Sequence, residues 1–158
     1  ELSGLEAVCS LAHHDKKINL SSPTYPTLTP TQRADNPPMR VPLILTHPIT
    51  GKAALYGLNS STCAIVSKNA SITEEKMDIF DLQGIEHESV ATLRNLLPTV
   101  TAPDFTVSWT WAPGDIVVWD NRCTLHAGTG FNAAAEQREM WRLSLTTPEP
   151  VTGNTSPG

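Results

Sequence analysis

The 158-residue sequence lacks two features that would each indicate a class of protein. No apolar run approaches the roughly 20 residues that a membrane-spanning helix needs. Basic residues are not in excess, because 11 Lys and Arg stand against 16 Asp and Glu for a formal net charge of -5. We therefore expect neither a nucleic acid nor a membrane as a partner.

Cysteine is scarce, and the chain start carries no targeting pattern. The three cysteines are widely spaced without a CxxC pair, so neither a disulfide framework nor a structural zinc site is indicated. We expect a reducing, cytoplasmic setting. The length fits one domain. The first residue is Glu1 rather than Met, and the first ten residues have no signal-peptide layout, so we expect a piece of a longer protein.

Alternating apolar residues predict strands in the last third of the chain. "DFTVSWTW" (104–111) and "EMWRLSLTT" (139–147) alternate between apolar and polar positions, and "IVVWD" (116–120) is typical of a buried strand. No β-α-β rhythm accompanies these strands. The pattern favours a mainly β fold with a few helices, arranged as an antiparallel barrel or jelly roll rather than a doubly wound sheet.

Weaker signals organise the first two thirds. Apolar spacing predicts a short helix over 1–15 and another over 89–100. The proline-rich segment 19–42 is predicted to be a long irregular loop. "VPLILTHPITGKAALYG" (41–57) predicts a hairpin, because two apolar runs flank a Pro-Ile-Thr-Gly-Lys turn. His47 in this hairpin is interpreted as structural.

His126 ends the stretch "WDNRCTLH" and is open to three interpretations. It could be a core residue, a general acid or base, or a metal ligand. Cys123 lies three residues before it. A Cys-x-x-His pair could bind zinc, or the thiol could be a nucleophile, but the sequence offers no second pair and no orienting third group.

Two arginines occupy one face of the last predicted strand. Arg138 and Arg142 are four residues apart, so their α-carbons would lie roughly 13 Å from each other. This face could simply meet solvent. If the strand is buried on both sides, each guanidinium needs an anion, and a ligand carboxylate fits that need because it pairs bidentately with arginine.

At this point the motifs resemble a known family. "WDNRCTLH" followed by Arg138 and Arg142 is similar to the C-terminal signature of the Fe(II)- and 2-oxoglutarate-dependent dioxygenases of the TauD/TfdA type. "THPITGKAALYG" and "WTWAPGDIVVWDNR" resemble two further segments of that family, and "LSGLEA" is similar to its mid-chain helix. The likeness is patchy over 1–66 and strong over 103–146.

The resemblance implies a role for each matching residue. His126 matches the second histidine of a two-histidine, one-carboxylate iron site. Arg138 matches the arginine that binds 2-oxoglutarate, and Arg142 matches one that holds the substrate's acidic group. Trp119 matches an aromatic residue beside the substrate. Asp120 and its neighbour Asn121 are expected to fix the turn that aims His126 rather than to touch iron.

The family's other two iron ligands come as His-x-Asp/Glu upstream of the "LSGL"-like helix. The sequence holds a literal match at His13 and Asp15, but its position and spacing are wrong, and a solvated charge cluster is the alternative. We therefore expect 1–158 to be the C-terminal part of a single jelly-roll dioxygenase domain. The N-terminal segment, which carries the other iron ligands, would be a partner of this chain.

The resemblance implies an oxygenase that uses Fe(II), 2-oxoglutarate and O2. It would hydroxylate a small anionic molecule with release of succinate and CO2. The alternative from the residues alone is a non-catalytic binding or structural domain that lacks a complete metal site. A homo-oligomer is left open by the sequence.

Overall fold

A computed structural model describes residues 2–71, 88–132, 134–135 and 137–146. Its regular elements within these ranges are five strands and three α-helices, with 3-10 turns at Leu2–Gly4 and Pro103–Phe105. The strands are β1 (Leu5–Cys9), β2 (Met39–Pro42), β3 (Ile44–Thr46), β4 (Ala53–Leu55) and β5 (Thr62–Ser67). The helices are α1 (Leu11–Ser21), α2 (Pro30–Asp35) and α3 (Glu88–Val100).

Two antiparallel sheets form the body of the fold. The first has the order β2-β1-β5, and the second pairs β3 with β4. Successive residues of a strand point to opposite faces, and both faces of the three-stranded sheet are covered. Ala7 belongs to one apolar cluster and Val8 to another. Helix α3 contributes to the Ala7 cluster through Leu96 and Val100. The expected class, a β fold with antiparallel sheets and few helices, is confirmed.

The hairpin predicted over 41–57 is confirmed. Strand β3 pairs antiparallel with β4 in the register Thr46 to Ala53. Gly51 takes a positive φ of 68° in the turn, a conformation that glycine adopts without strain. Gly57, at φ 75°, approaches Val41 so closely that a side chain there would meet the Val41 Cγ2 atom. The helix predicted over 89–100 is confirmed as α3.

Two predictions for the first 42 residues are wrong. The region 1–15 is not one helix, because Leu5–Cys9 form the central strand β1, paired on both sides. The helix α1 begins only after the cap Ser10, whose hydroxyl accepts from the His13 amide at 3.2 Å. Sheet pairing has overridden the helical spacing.

The segment 19–42 is not one irregular loop. The end of α1, the short helix α2 and the strand β2 all lie within it. Helix α2 is nucleated by a capping box: the Thr29 hydroxyl accepts from the Gln32 amide, the Gln32 side chain accepts from the Thr29 amide, and Pro30 occupies the first turn. The prolines that suggested a loop therefore include one that starts a helix.

The last third of the chain differs most from the sequence-based expectation. No strand is formed over 106–132 or 137–146, the described part of this region. Most apolar residues of the predicted strands face solvent, with Val107, Trp141 and Leu145 at 91%, 90% and 97% exposure, whereas Val117 and Trp119 are half-buried. A strand needs a neighbour to pair with its backbone groups, and the described residues provide none. The complete jelly roll therefore stays a prediction.

Among the described residues, no helix is both long enough and apolar enough to cross a bilayer. The cytoplasmic setting stays a prediction.

Candidate functional site

The segment that leads to His126 is a tight turn organised by Asp120. The main-chain carbonyl of Asp120 accepts four hydrogen bonds: from the Cys123 amide at 3.2 Å, the Thr124 amide at 3.1 Å, the Thr124 hydroxyl at 2.7 Å and the Cys123 thiol at 3.8 Å. These contacts close the chain over residues 120–124. His126 follows only two residues later, so the turn fixes the position of the backbone that carries its ring.

The side chain of Asp120 is bound to Arg122. The guanidinium donates to both carboxylate oxygens, through Nε at 2.9 and 3.1 Å and through Nη2 at 2.6 Å. The Arg122 amide adds a fourth contact at 2.8 Å. These hydrogen bonds, with a smaller contribution from His47, hold the pKa of the Asp120 carboxyl well below its usual range. The Asp120 carboxylate in turn raises the pKa of Arg122.

His47 joins this turn to the folded body. Its ring is buried at the end of β3. The Nδ1 atom accepts from the amides of Ile49 and Thr50, both at 3.2 Å. Because Nδ1 is an acceptor, the proton lies on Nε2, which donates to Asp120 at 3.0 Å. This geometry agrees with a structural role for His47.

His126 itself is exposed, and its ring contacts Trp119. The two ring centroids are 4.8 Å apart and the planes are inclined at 49°, a tilted arrangement favoured by aromatic pairs. The Trp119 indole nitrogen donates to the Asn121 side chain at 2.9 Å. The structure therefore brings together two of the expected site residues, and Asn121 helps to fix one of them.

The two arginines lie beyond the His126 loop. Arg138 is exposed, donates to the Thr129 carbonyl at 3.4 Å and stands 5.5 Å from the centre of the Phe131 ring. Its Nε also contacts the Met140 sulfur. Arg142 is exposed. Within residues 88–132 and 137–146, neither guanidinium forms a salt bridge with a carboxylate. The two charges are thus accessible to an anion from outside this part of the chain.

The literal His-x-Asp match does not form a metal site. His13 and Asp15 lie on α1 and are both buried, with His13 only 1% exposed. Residues two apart on a helix do not face each other, so they cannot bind one ion together. The interpretation of this segment as a solvated charge cluster is also wrong, because Asp15 is only 7% exposed.

A different group of potential ligands does come together. Among the described residues, His47, Asp120 and Cys123 offer ligand atoms within 4.8 Å of one another. Both nitrogens of His47 are already engaged, and Arg122 covers the carboxylate. A metal ion would have to displace these hydrogen bonds. We therefore interpret the three residues as a hydrogen-bonded group that holds the turn against the hairpin. No local sequence pattern indicates the contact between His47 and Asp120, which are 73 residues apart.

Comparisons with known proteins agree with the motifs. The "Taurine catabolism dioxygenase TauD, TfdA family" matches residues 1–144. An alpha-ketoglutarate-dependent 2,4-dichlorophenoxyacetate dioxygenase of Burkholderia sp. (strain RASC) is 32% identical over 145 residues, which cover 91% of this chain and 41% of that protein. Pentalenolactone F synthase of Streptomyces arenae is 33% identical over 110 residues, or 70% of this chain and 31% of the relative.

A solved structure gives the same answer. A crystal structure from Burkholderia xenovorans, assigned as an alpha-ketoglutarate-dependent 2,4-D dioxygenase, matches with a TM-score of 0.55 and 25% identity over 77% of this chain and 39% of that one. The chain belongs to the TauD/TfdA family, whose dioxygenases use Fe(II) and 2-oxoglutarate. It spans about two fifths of the length of the first of these relatives.

Proposed function

We propose that this chain is the part of an Fe(II)- and 2-oxoglutarate-dependent oxygenase that carries the distal histidine ligand and the anion-binding arginines. The protein would hydroxylate a small anionic substrate and release succinate and CO2. The observation that carries the proposal is the exposed imidazole of His126, packed on Trp119 and based on a turn that Asp120 closes. This arrangement occurs in a chain that matches the family over 1–144.

The residues present fit part of an iron centre. An exposed imidazole that packs against an aromatic ring is a suitable ligand for Fe(II). Neighbouring residues that fix the orientation of a ligand support metal binding. In a two-histidine, one-carboxylate site the iron offers open positions where 2-oxoglutarate and O2 can bind. Among the described residues, His126 belongs to no group of three potential metal ligands. We therefore assign the other two ligands to a further segment of a longer protein.

Arg138 and Arg142 would each bind a different anion, one the 2-oxoglutarate and the other the substrate. We assign Arg138 to the far carboxylate of 2-oxoglutarate, because it is held beside the loop that follows His126 by Thr129 and Phe131. We assign Arg142 to the acidic group of the prime substrate and Trp119 to the wall of the same pocket. A planar guanidinium suits both tasks, since it pairs bidentately with a carboxylate or a similar anion.

One observation favours a second candidate function. The described residues hold only a single matched iron ligand, as a non-catalytic domain would. Such a domain would bind a small carboxylate at its arginines without turnover. The two candidates differ in whether ligand binding depends on Fe(II).

Steady-state kinetics on the longer protein test the proposal. Removing one partner of a desolvated, charge-assisted pair costs on the order of 2–5 kcal/mol. Arg138→Ala should therefore raise the KM for 2-oxoglutarate by roughly 30-fold or more, at about 1.4 kcal/mol per tenfold, and change the KM for the prime substrate much less. Arg142→Ala should do the reverse. Arg138→Lys keeps the charge but not the bidentate geometry, and should fall between the two.

Arg33→Ala, on the short helix α2, is the matched control and should leave both KM values unchanged. If Arg138→Ala leaves the 2-oxoglutarate dependence unaltered, the assignment fails at its most specific residue. Binding of 2-oxoglutarate without any effect of Fe(II) would favour the non-catalytic candidate.

A further inference from the structure

We infer that His47 is a positioning residue for His126, and that it acts through Asp120. The inference rests on the proposed function, because it concerns the histidine assigned to iron. His47 lies on the hairpin, 79 residues before His126 in the sequence. A single hydrogen bond, to Asp120, connects it to the turn that precedes His126.

The hairpin end of this contact is fixed. His47 is 8% exposed, and its own amide donates to the Lys52 carbonyl at 2.8 Å while its carbonyl accepts from the Gly51 amide at 2.9 Å. Two more amides, of Ile49 and Thr50, occupy Nδ1. The ring therefore cannot rotate without breaking the turn, and its Nε2 proton points in one direction.

The other end of the contact lies on the turn that carries His126. Asp120 accepts the Nε2 proton at 3.0 Å. The same residue accepts from Thr124 through its carbonyl, and it follows Trp119, whose ring packs on His126. Asp120 is thus linked to Thr124, which lies two residues before His126, and to Trp119, which packs on the His126 ring. A displacement of Asp120 would move the ring and its packing partner together.

The region around the turn makes this link important. Ile116 and Val118, just before Trp119, are 89% and 87% exposed, and Val117 between them is only half-buried, so packing holds this segment weakly. The hydrogen bond from His47 ties it to a buried residue. A ligand whose support is removed loses affinity or activity by about 10- to 100-fold in typical metal sites.

Two substitutions at position 47 separate positioning from simple structure. In His47→Asn the side-chain oxygen can still accept from the amides two and three residues ahead, as asparagine does in Asx turns, but it is too short to reach Asp120. In His47→Gln the longer amide can donate to Asp120 again. His14→Asn is the control, because within the described part of the chain the His14 ring contacts just the Ser60 carbonyl, at an exposed position.

The experiment uses the longer protein that contains this chain, with two readouts. The first is kcat and the KM for 2-oxoglutarate. We expect His47→Asn to lower kcat by about tenfold, the lower end for support of a metal ligand, with little change in KM. His47→Gln should recover most of that loss, and His14→Asn should match the unmodified protein. The second readout is the NMR shift of the His126 ring protons in the metal-free protein, which the Trp119 ring current displaces. That displacement should shrink in His47→Asn and return in His47→Gln.

Unchanged kcat and unchanged His126 signals in His47→Asn would overturn the inference. Equal losses of kcat and of thermal stability in the Asn and Gln variants would also overturn it, since they would mark a purely structural role. If the unmodified protein shows no 2-oxoglutarate-dependent turnover, the proposed function fails by itself. The NMR shifts of the His126 ring protons then test the link between His47 and His126 alone. A smaller ring-current displacement in His47→Asn would support the link, and an unchanged displacement would refute it.

Discussion

Residues 2–71 and the described residues between 106 and 146 carry similar apolar patterns but have opposite environments. All the buried residues in the described part of the chain lie between Ala7 and Val66. In the later region, Val107, Leu143 and Leu145 are each more than 90% exposed. The first region pairs its strands within itself, whereas the second finds no strand partner among the described residues.

An alternating pattern therefore indicates that one face of a strand is to be buried, but not which segment buries it. Strand β1 is buried because β2 and β5 flank it. We expect the faces around Trp109 and Trp141 to be covered by a further segment of the proposed longer protein. The chain spans 41% of the first relative, which leaves ample length for such a segment.

The largest expected effect comes from the exposed region. His126→Ala should abolish turnover of the longer protein, because the assigned iron site loses one of its three ligands. The unfolding temperature should stay close to that of the unmodified protein, since the exposed ring stabilises the fold through little more than its contact with Trp119. His14→Ala is the matched control for both measurements. Turnover that survives His126→Ala would remove this histidine from the site.

A pair of identical substitutions sharpens the comparison. Leu43 is fully buried and Leu145 is 97% exposed. In the isolated chain, Leu43→Ala should lower the free energy of unfolding by about 2–5 kcal/mol, and Leu145→Ala should change it by less than about 0.5 kcal/mol. In the longer protein, Leu145→Ala should also become strongly destabilising. Denaturant unfolding of both proteins measures this, and an equally small effect of Leu145→Ala in both would refute the proposed covering segment.

A smaller, pH-dependent effect is expected where the two regions meet. The pKa of Asp120 is lowered by Arg122 and His47, so its carboxylate stabilises the fold above its unfolded pKa of about 3.9. That stabilisation is lost as the pH falls through the lower folded value. The stability difference between the unmodified protein and Asp120→Asn should therefore be constant above about pH 5 and decrease only in more acidic solution. A difference that instead grows on acidification would contradict the pairing.

The sequence predicted those parts of the fold that depend on local signals. The hairpin over 41–57 has a turn motif with a glycine at positive φ, and α3 has a clear apolar face. It did not predict β1, and it predicted strands in the last third that the described residues do not form. Both errors arise because strand formation depends on partners distant in sequence. The motif around His126 was informative through its residue types, and the turn at Asp120 agrees with it. The contact with His47 needed the structure, since neither residue's neighbours indicate it.

Titration with Fe(II) in the presence of 2-oxoglutarate, without O2, shows whether the iron site needs residues beyond this chain. We expect residues 1–158 alone to bind Fe(II) weakly, because they hold one assigned ligand where the site needs three. The longer protein should bind one equivalent tightly, and His126→Ala should weaken that binding. Tight, stoichiometric binding by residues 1–158 alone, abolished by His13→Ala or Asp15→Ala, would contradict the account and move the iron site to α1.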